Sequence, residues 1–204
     1  VQEYRKGTFS PIAQLPGATD VAAIGRGAMF VITSGGFGGD GRLYRVARGS
    51  VREIADLGAF ETTVNPDGAE INPNPFDVTV LNGGQALVTD ARGNSLLIVD
   101  QSGTIDWVAT LPPELVSTAN IKSMLGCPGS GAPQCGLPAM MPAQAVATSI
   151  AVGPDGAFYV SELKGFPAPT GESRVWRIEP WARHAQCGSS SACSVVLDGF
   201  TSII

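Results

Sequence analysis

Histidine, clustered charge and long apolar runs are all scarce in this sequence, and each scarcity excludes a class of function. The chain has one histidine, His184, and charged residues make up only 15% of it. The formal net charge is −5 and no basic stripe carries interleaved aromatic residues, so we expect no nucleic-acid partner. No apolar run approaches the ~20 residues needed to cross a bilayer, so we expect no transmembrane segment.

Cysteine is also sparse, but its four residues fall into two close pairs. Cys127 and Cys135 bracket the loop CPGSGAPQC, and Cys187 and Cys193 bracket CGSSSAC. Pairs that close short polar loops are typical of disulfides formed in oxidising compartments. Neither pair is C-x-x-C and the single histidine lies near only one of them, so zinc is the weaker alternative, with free thiols as the other. We therefore predict two local disulfides and a secreted or periplasmic protein.

No signal peptide is visible, because the chain opens on the polar VQEYRKG. Either the numbering begins at a mature N-terminus, or the protein never carried such a peptide. The predicted disulfides favour the first alternative.

The stretch 74–111 sets the pattern for the fold. It contains four short β-runs separated by turns rich in Gly and Asn: Asp77–Leu81, Gln85–Asp90, Ser95–Asp100 and Ile105–Leu111. Gly and Asn reach positive φ at little steric cost, so these turns favour hairpins. Four short antiparallel strands in succession are typical of one blade of a β-propeller. No helical periodicity of comparable strength appears, so we predict an all-β protein.

The same pattern recurs along the chain and predicts about three blades. First strands read TDVAAI, FDVTVL and TSIAVG, and second strands read MFVIT, ALVTD and FYVSE. We predict one partial propeller domain over 1–204, divided into blade one (about 19–57), blade two (about 74–111), an insertion (112–145), blade three (about 146–200) and the start of blade four (201–204). Propellers close with about 4–8 blades, so we expect half of a six-bladed ring. Its partner would be the remaining half, a second copy or another protein subunit.

Propeller topology gathers the long loops at one end of the blades. The loops assigned to this long-loop face are Ser34–Gly41, Gly58–Pro73, Ala91–Asn94, Pro112–Ala145 and Leu163–Ser173. The opposite face carries tight turns, except for Pro180–Ala192, where His184 is interpreted as a solvated residue. Long loops on a rigid scaffold are common binding surfaces, so we expect binding at the long-loop face.

A short helix is expected within the insertion, at Pro113–Gly126. Glu114 would lie in its first turn, where a carboxylate suits the helix dipole. Gly58–Pro73 is predicted simply as a long crossing between blades one and two.

The starts of first strands and the ends of second strands are expected to ring the channel mouth on the long-loop face. These positions are Asp20, Asp77, Ser149 and Ser202 on first strands, and Thr33, Asp90 and Glu162 on second strands. Carboxylate oxygens bind Ca²⁺ or Mg²⁺, or orient a polar ligand. The ligand-binding candidates are Asp20, Asp77, Ser149, Glu162 and Thr33, with Asp77 and Glu162 as candidate metal ligands. For Asp90 the alternative is structural, since Asp in VTDARGN commonly accepts N–H bonds from its own turn.

Three segments resemble the ScyD/ScyE family of secreted propeller proteins: ADLGAFETTVNPDGAEINPNPFDV, LVTDARGNSLLIVD and ATSIAVGPDGAFYVSELKGFPAPTGESRVWRIEP. They cover most of Ala55–Pro180. The resemblance implies an exported, six-bladed propeller in a chain about twice this long. The family carries no agreed activity or catalytic residues, so the resemblance transfers none.

More loosely, each blade is similar to an NHL repeat and to the blades of gluconolactonase-like propellers. Those enzymes bind a divalent metal through Glu, Asn and Asp at the channel, and Asp77 and Glu162 stand in comparable places. An Asn-rich inner ring is missing from this sequence, which weakens a lactonase interpretation.

Two hypotheses follow. The first is an exported binding or assembly module that uses the long-loop face, favoured because no nucleophile–base pair is predicted at the mouth. The second is a metal-dependent hydrolase or lyase that uses Asp20, Asp77 and Glu162 with Ca²⁺ or Mg²⁺. Whether the protein is an enzyme stays open at this point.

Overall fold

The computed structural model describes residues 1–34 and 41–204, and antiparallel strands dominate it. The strands are β1 (Gln2–Arg5), β2 (Thr8–Pro11), β3 (Ala18–Gly25), β4 (Ala28–Thr33), β5 (Arg42–Ala47), β6 (Ser50–Asp56), β7 (Pro75–Val80), β8 (Ala86–Asp90), β9 (Ser95–Val99), β10 (Ile105–Thr110), β11 (Glu114–Ser117), β12 (Met140–Ala143), β13 (Ala147–Val152), β14 (Phe158–Glu162), β15 (Ser173–Ile178), β16 (Ala185–Gln186) and β17 (Cys193–Phe200). The helices are α1 (Leu57–Val64) and α2 (Ala119–Met124), with a 3₁₀ turn at Pro133–Gly136. Across these described residues, neither helix has the length and apolar character that crossing a membrane requires.

Three antiparallel sheets form the body of the molecule. Blade one has the strand order β3-β4-β5-β6, blade two β7-β8-β9-β10, and blade three β13-β14-β15-β17. The first strands are neighbours, β3 beside β7 and β7 beside β13. This is the arrangement of propeller blades, and the predicted all-β class and four-stranded antiparallel blades are confirmed.

Blade two lies between the other two blades and is buried on both faces. Every residue of β8 and β9 is buried, although the sequences ALVTD and SLLIV do not alternate in polarity. Leu87 and Leu96 pack into a cluster with blade three, whereas their sequence neighbours Val88 and Leu97 pack into a cluster with blade one. Successive side chains point to opposite faces of a strand, so one strand can serve both clusters. By contrast, β17 of blade three is exposed along almost its whole length.

The crossing from blade one to blade two contains a helix that the sequence interpretation missed. Asp56 caps α1, because its side chain accepts a hydrogen bond from Ala59 N–H at 2.8 Å. Asn65 ends the helix in the left-handed conformation with φ 44°, and its N–H binds the Glu61 carbonyl. Gly58–Pro73 is therefore half helix and half loop rather than a plain crossing.

The helix expected at Pro113–Gly126 is shorter than predicted. Glu114 lies in strand β11, which pairs with β12, and only α2 is helical. The Glu114 side chain forms ion pairs with Lys164, at 2.7 Å, and with Arg174, so its partners are in blade three rather than at a helix N-terminus. The insertion is thus a hairpin that carries a short helix and a disulfide-closed loop.

Both predicted disulfides are present, Cys127–Cys135 in the insertion and Cys187–Cys193 in blade three. All four cysteines lie among the described residues and none is free, so the zinc and free-thiol alternatives are set aside.

The segment 180–192 is not confined to the opposite face as predicted. Its strand β16 pairs in parallel with the outer strand β10 of blade two, and Cys187 N–H continues the ladder to the Thr110 carbonyl at 2.9 Å. Residues 186–189 then reach a cavity shared with residues 66–69 of the long-loop face. His184 is exposed, as expected, but it is also held: its ring stacks on Trp107 with centroids 4.7 Å apart, and its Nε2 lies 2.7 Å from Asp106 Oδ1.

The two ends of the chain add little to the blades. β1 and β2 form a separate exposed hairpin. Residues 201–204, predicted to begin a fourth blade, form no strand, and Ile203 instead accepts a hydrogen bond from Thr148 Oγ1 at 3.0 Å. Most of the predicted loop Ser34–Gly41 lies outside the described residues.

Candidate functional site

Three of the predicted ligand-binding residues meet where the first strands begin. Asp20, Asp77 and Ser149 occupy equivalent positions on β3, β7 and β13. Together with Thr19 and Phe76 they line a cavity of about 350 Å³ between the three blades. We call this cavity the mouth.

Asp20 and Asp77 each bind the first strand of the following blade. Oδ2 of Asp20 accepts a hydrogen bond from Val78 N–H at 2.9 Å, and Oδ2 of Asp77 accepts one from Ile150 N–H at 2.7 Å. Val78 and Ile150 are equivalent positions, so the same bond is repeated from blade to blade. Each carboxylate accepts a hydrogen bond from the backbone of the following blade, and it therefore links neighbouring blades as well as facing the mouth.

The two carboxyl groups also interact with each other. Burial, and then the hydrogen bond with the Asp20 side chain, raise the pKa of Asp77 from 3.8 to about 6, although the N–H of Ile150 opposes the rise. A raised pKa means that the folded protein holds this proton more tightly than the unfolded chain does. The stability that protonated Asp77 contributes is fully present below pH 3.8 and is lost as the pH rises through about 6.

Asp77→Asn is expected to stabilise the protein at pH 7 and to have no such effect at pH 4. Asparagine keeps an acceptor for Ile150 N–H and a donor for Asp20, so it mimics the protonated carboxyl at every pH. Because Asp77 is only half-buried, solvent screening limits the gain to ~1 kcal/mol, or about 2–4 °C in Tm. Thermal unfolding from pH 4 to 7.5 checks this, with the exposed Asp198→Asn on β17 as the control. A gain that is the same at both pH values would contradict the assignment.

The residues that end the second strands hold their own blades together. Thr33 is buried and its Oγ1 accepts a hydrogen bond from Arg42 N–H at 3.2 Å. Asp90 is fully buried, and its Oδ1 accepts from the N–H groups of Asn74, Arg92 and Gly93 at 2.9–3.1 Å. The structural alternative for Asp90, that it ties down its own turn, is therefore confirmed.

Glu162 is buried inside blade three rather than open at the mouth. Its carboxylate lies 3.0 Å from Lys164 Nζ and accepts a hydrogen bond from Trp176 Nε1 at 3.1 Å, and the Glu162 and Lys164 side chains have no exposed surface. Burial raises the pKa of Glu162, while the neighbouring Lys164 charge opposes the rise. This side chain is directed to the third strand of its own blade, whereas Asp77 lines the mouth, so the structure shows no contact between the two predicted metal ligands among the described residues. Within residues 1–34 and 41–204, no group of three or more His, Cys, Asp or Glu side chains is placed to hold a metal ion.

A second region lies among the long loops, where two cavities adjoin. The first, of about 510 Å³, is lined by residues 66, 67, 69, 110–114, 144 and 186–189. The second, of about 290 Å³, is lined by residues 69, 70, 72, 91, 92, 144, 146, 165 and 166. Ala69 and Gln144 line both cavities, so loops from all three blades and from the insertion contribute to one continuous surface.

Asn94 joins these loops and was missed as a functional residue. It is 1% exposed, and its Nδ2 donates to Asp67 Oδ2 at 2.7 Å and to Gln144 Oε1 at 2.8 Å. Its Oδ1 accepts from Val146 N–H at 2.9 Å. One side chain thus ties together the blade one–two crossing, the insertion and blade three. The sequence signal was a turn-type Asn, which indicates a hairpin but gives no sign of partners about 27–52 positions away.

Comparison with known proteins gives structural neighbours but no sequence relatives. No family model matches the chain, and no curated protein matches it. A solved structure provisionally described as a gluconolactonase has a TM-score of 0.51 and 14% identity, covering 98% of this chain and 58% of that one. A protein from Lactobacillus plantarum has a TM-score of 0.51 and 8% identity, covering 96% and 46%. A virginiamycin B lyase from Staphylococcus aureus has a TM-score of 0.49 and 14% identity, covering 82% and 39%.

The chain has the β-propeller fold. That is all these likenesses establish, because the identities are low. The chain spans 39% to 58% of the length of the structures it resembles.

Proposed function

We propose that this protein is an exported β-propeller binding or assembly module of the ScyD/ScyE type, which takes its partner on the long-loop face. The observation that carries the proposal is the continuous surface lined by loops from all three blades and the insertion. A surface assembled from several loops on a rigid scaffold is a common way to build a binding site. The two disulfides support export, since disulfides persist in oxidising compartments.

The chemistry of the surface favours a protein partner. Phe166 is 52% exposed at the second cavity, and Ile71, Leu115 and Met140 are exposed on the neighbouring crossing and insertion. Aromatic and methionine side chains are enriched in protein interfaces, whereas nucleic acid requires clustered cations. The partner we propose is therefore a polypeptide with an apolar segment.

Site-specific photo-crosslinking tests this proposal. A benzophenone analogue of phenylalanine placed at Phe166 should capture a discrete partner when the intact protein is expressed in its own exported compartment. The matched control is the same substitution at Phe9, which is 66% exposed on the N-terminal hairpin and lines neither of the two cavities. Equal capture at both positions, or none at Phe166, would refute the proposal.

Closure of the propeller is a further part of the proposal. Val195, Leu197 and Phe200 are exposed on β17, and blades of a closed propeller cover such faces against their neighbours. We propose that more of the same polypeptide, a second copy or another subunit covers this strand. The mass of the native particle separates these sources, and a stable particle of 204 residues would exclude all three.

The second candidate function is a hydrolase or lyase of the gluconolactonase-like type. It is favoured by the Asp20–Asp77 pair at the mouth, because a carboxyl whose pKa is about 6 is suited to acid–base chemistry near neutral pH. The hydrogen bonds that engage one oxygen of each carboxylate in the scaffold count against it. Lactone hydrolysis that Asp77→Asn leaves unchanged would remove this candidate.

A further inference from the structure

Glu61 of α1 is buried without a partner for its charge. Glu61 is 1% exposed, and neither of its carboxylate oxygens has a hydrogen-bond partner in the described structure. Burial, and then the charges of Asp90 and Asp67, raise the pKa of Glu61 to about 7. A buried carboxylate that is neither paired nor hydrogen-bonded is costly, and such groups commonly pair or coordinate metals. Something absent from the protein chain itself is therefore expected to satisfy it.

Asp90, whose charge acts on Glu61, also has a buried oxygen without a partner among the described residues. Three backbone N–H groups donate to Oδ1 of Asp90, whereas its buried Oδ2 has no hydrogen-bond partner in the part of the chain that the structure describes. Both acids lie next to Gly93. A Cβ at Gly93 would be 3.0 Å from Glu61 Oε2 and 3.3 Å from Asp90 Cγ. The two carboxyl groups are thus neighbours across a glycine that leaves space between them.

Two neutral oxygens of the same neighbourhood are also buried and unpartnered. Asn65 is the C-cap of α1, where its N–H binds the Glu61 carbonyl, and its buried Oδ1 has no hydrogen-bond partner among the described residues. Ser95 is the cross-strand partner of Asp90, and its Oγ has none either. Two carboxylates, a carboxamide oxygen and a hydroxyl therefore remain unsatisfied around one junction.

We propose that Glu61 and Asp90, completed by the neutral oxygens of Asn65 and Ser95, bind a calcium ion between α1 and the β8–β9 turn. All the donors are hard oxygen atoms, which suit Ca²⁺ and Mg²⁺ rather than transition metals that favour nitrogen or sulfur. The two acidic charges balance a divalent ion. Ca²⁺ accepts an irregular set of mixed oxygen ligands, whereas Mg²⁺ demands near-octahedral geometry and retains water. The set contains two acids and two neutral groups, so it differs from the clusters of three or more acidic, His or Cys side chains that the described residues lack.

The site would stabilise the long-loop face. It joins the crossing that carries Asp67 and Ala69 to the turn that carries Ala91 and Arg92, and these residues line the two adjoining cavities. The calcium proposal does not depend on the proposed function, because it rests on the unsatisfied oxygens alone.

Calorimetric titration and thermal unfolding with calcium test the proposal on the intact protein after chelator treatment. Binding should give a saturable heat, and Tm should rise by about 5–10 °C at a hundred times Kd. Glu61→Gln should abolish both responses, while Glu3→Gln, which removes the same charge at an exposed position, should retain them. Without calcium, the Tm of Glu61→Gln should exceed that of the wild type, because the substitution removes a buried unpaired charge.

Three results would overturn the proposal. The first is no response to calcium up to about 10 mM, above the ~10⁻³ M limit for weak extracellular calcium modules. The second is an equal response to magnesium. The third is a Tm that rises on acidification through pH 7 with no effect of calcium, which would mean that a shared proton, not a metal, satisfies Glu61 and Asp90. If Glu61→Gln fails to fold, Ser95→Ala is the substitute and should weaken the calcium response.

Discussion

Lys164→Met is expected to lower the free energy of unfolding by about 3–5 kcal/mol. The Lys164 and Glu162 side chains are both fully buried, with Nζ 3.0 Å from Glu162 Oε1. Removal of the ammonium leaves the Glu162 carboxylate in the interior, where the Trp176 N–H is its one remaining hydrogen-bond partner among residues 1–34 and 41–204. Glu114, the second acid on Lys164, is less affected because it lies nearer the surface and keeps its ion pair with Arg174.

Urea unfolding of the wild type, Lys164→Met, Glu162→Gln and the double variant measures the coupling. The double variant should recover most of the loss, because no uncompensated charge then remains in the interior. Lys6→Met is a suitable control, since Lys6 is exposed and both lysines have positive φ, 50° and 65°. It should change stability by less than ~0.5 kcal/mol. A loss at Lys164 no greater than the loss at Lys6 would show that the buried pair contributes little.

Gly103→Ala is expected to destabilise the protein by about 2–5 kcal/mol, because it combines a strained backbone with a clash between blades. Gly103 lies in the turn between β9 and β10 with φ 92°, a conformation that alanine adopts only at a cost. A Cβ there would also overlap the carbonyl oxygen of Ile54 in β6 of blade one. Since that atom is backbone, relief requires one blade to move away from the other.

Gly49→Ala separates the two contributions. Gly49 occupies the corresponding turn of blade one, between β5 and β6, with φ 80°, and no atom of the described residues lies within 4 Å of the position that a Cβ would take. Its replacement should cost only the backbone strain, about 1–2 kcal/mol. The difference between the two variants in urea unfolding therefore reports the contact of blade two with blade one. Equal losses of stability in Gly103→Ala and Gly49→Ala would mean that the two blades move apart at Gly103 and Ile54 with no measurable loss of stability.

The blades could be predicted from sequence because their signals are local. Turns such as Asn82-Gly83-Gly84 and the recurring first strands are recognisable within a few residues. Helix α1 was missed although its Asp56 cap and its terminal Asn65 are standard signals, because the Gly and Thr residues around them are typical of a loop. Strand β16 had no signal to find: it is two residues long and depends on a partner in another blade.

The candidate site was predictable only in part, and for a physical reason. The repeat alignment places Asp20, Asp77 and Ser149 at one level, and the structure brings their side chains to one cavity. Glu162 and Thr33 end the second strands beside the starts of the first strands, as Ala147↔Glu162 and Ala18↔Thr33 show. Their side chains nevertheless point into the blades. The strand register determines how far along the blade a residue lies, whereas the pleat and the contacts of the side chain determine which way it points. The Asn94, Glu61 and Asp90 contacts join segments distant in sequence and left no local pattern.

The parallel strand β16 changes what counts as a removable unit in this molecule. In a repeat protein each module contacts only its neighbours, so one module can in principle be exchanged without altering the strands of another. Here β16, which belongs to the polypeptide segment of blade three, forms the outermost strand of the blade two sheet. The Cys187–Cys193 disulfide connects the residue after β16 to the first residue of β17. Exchange of blade three for a foreign repeat would therefore remove the outermost strand of blade two as well, so we expect that the two blades can be exchanged only together.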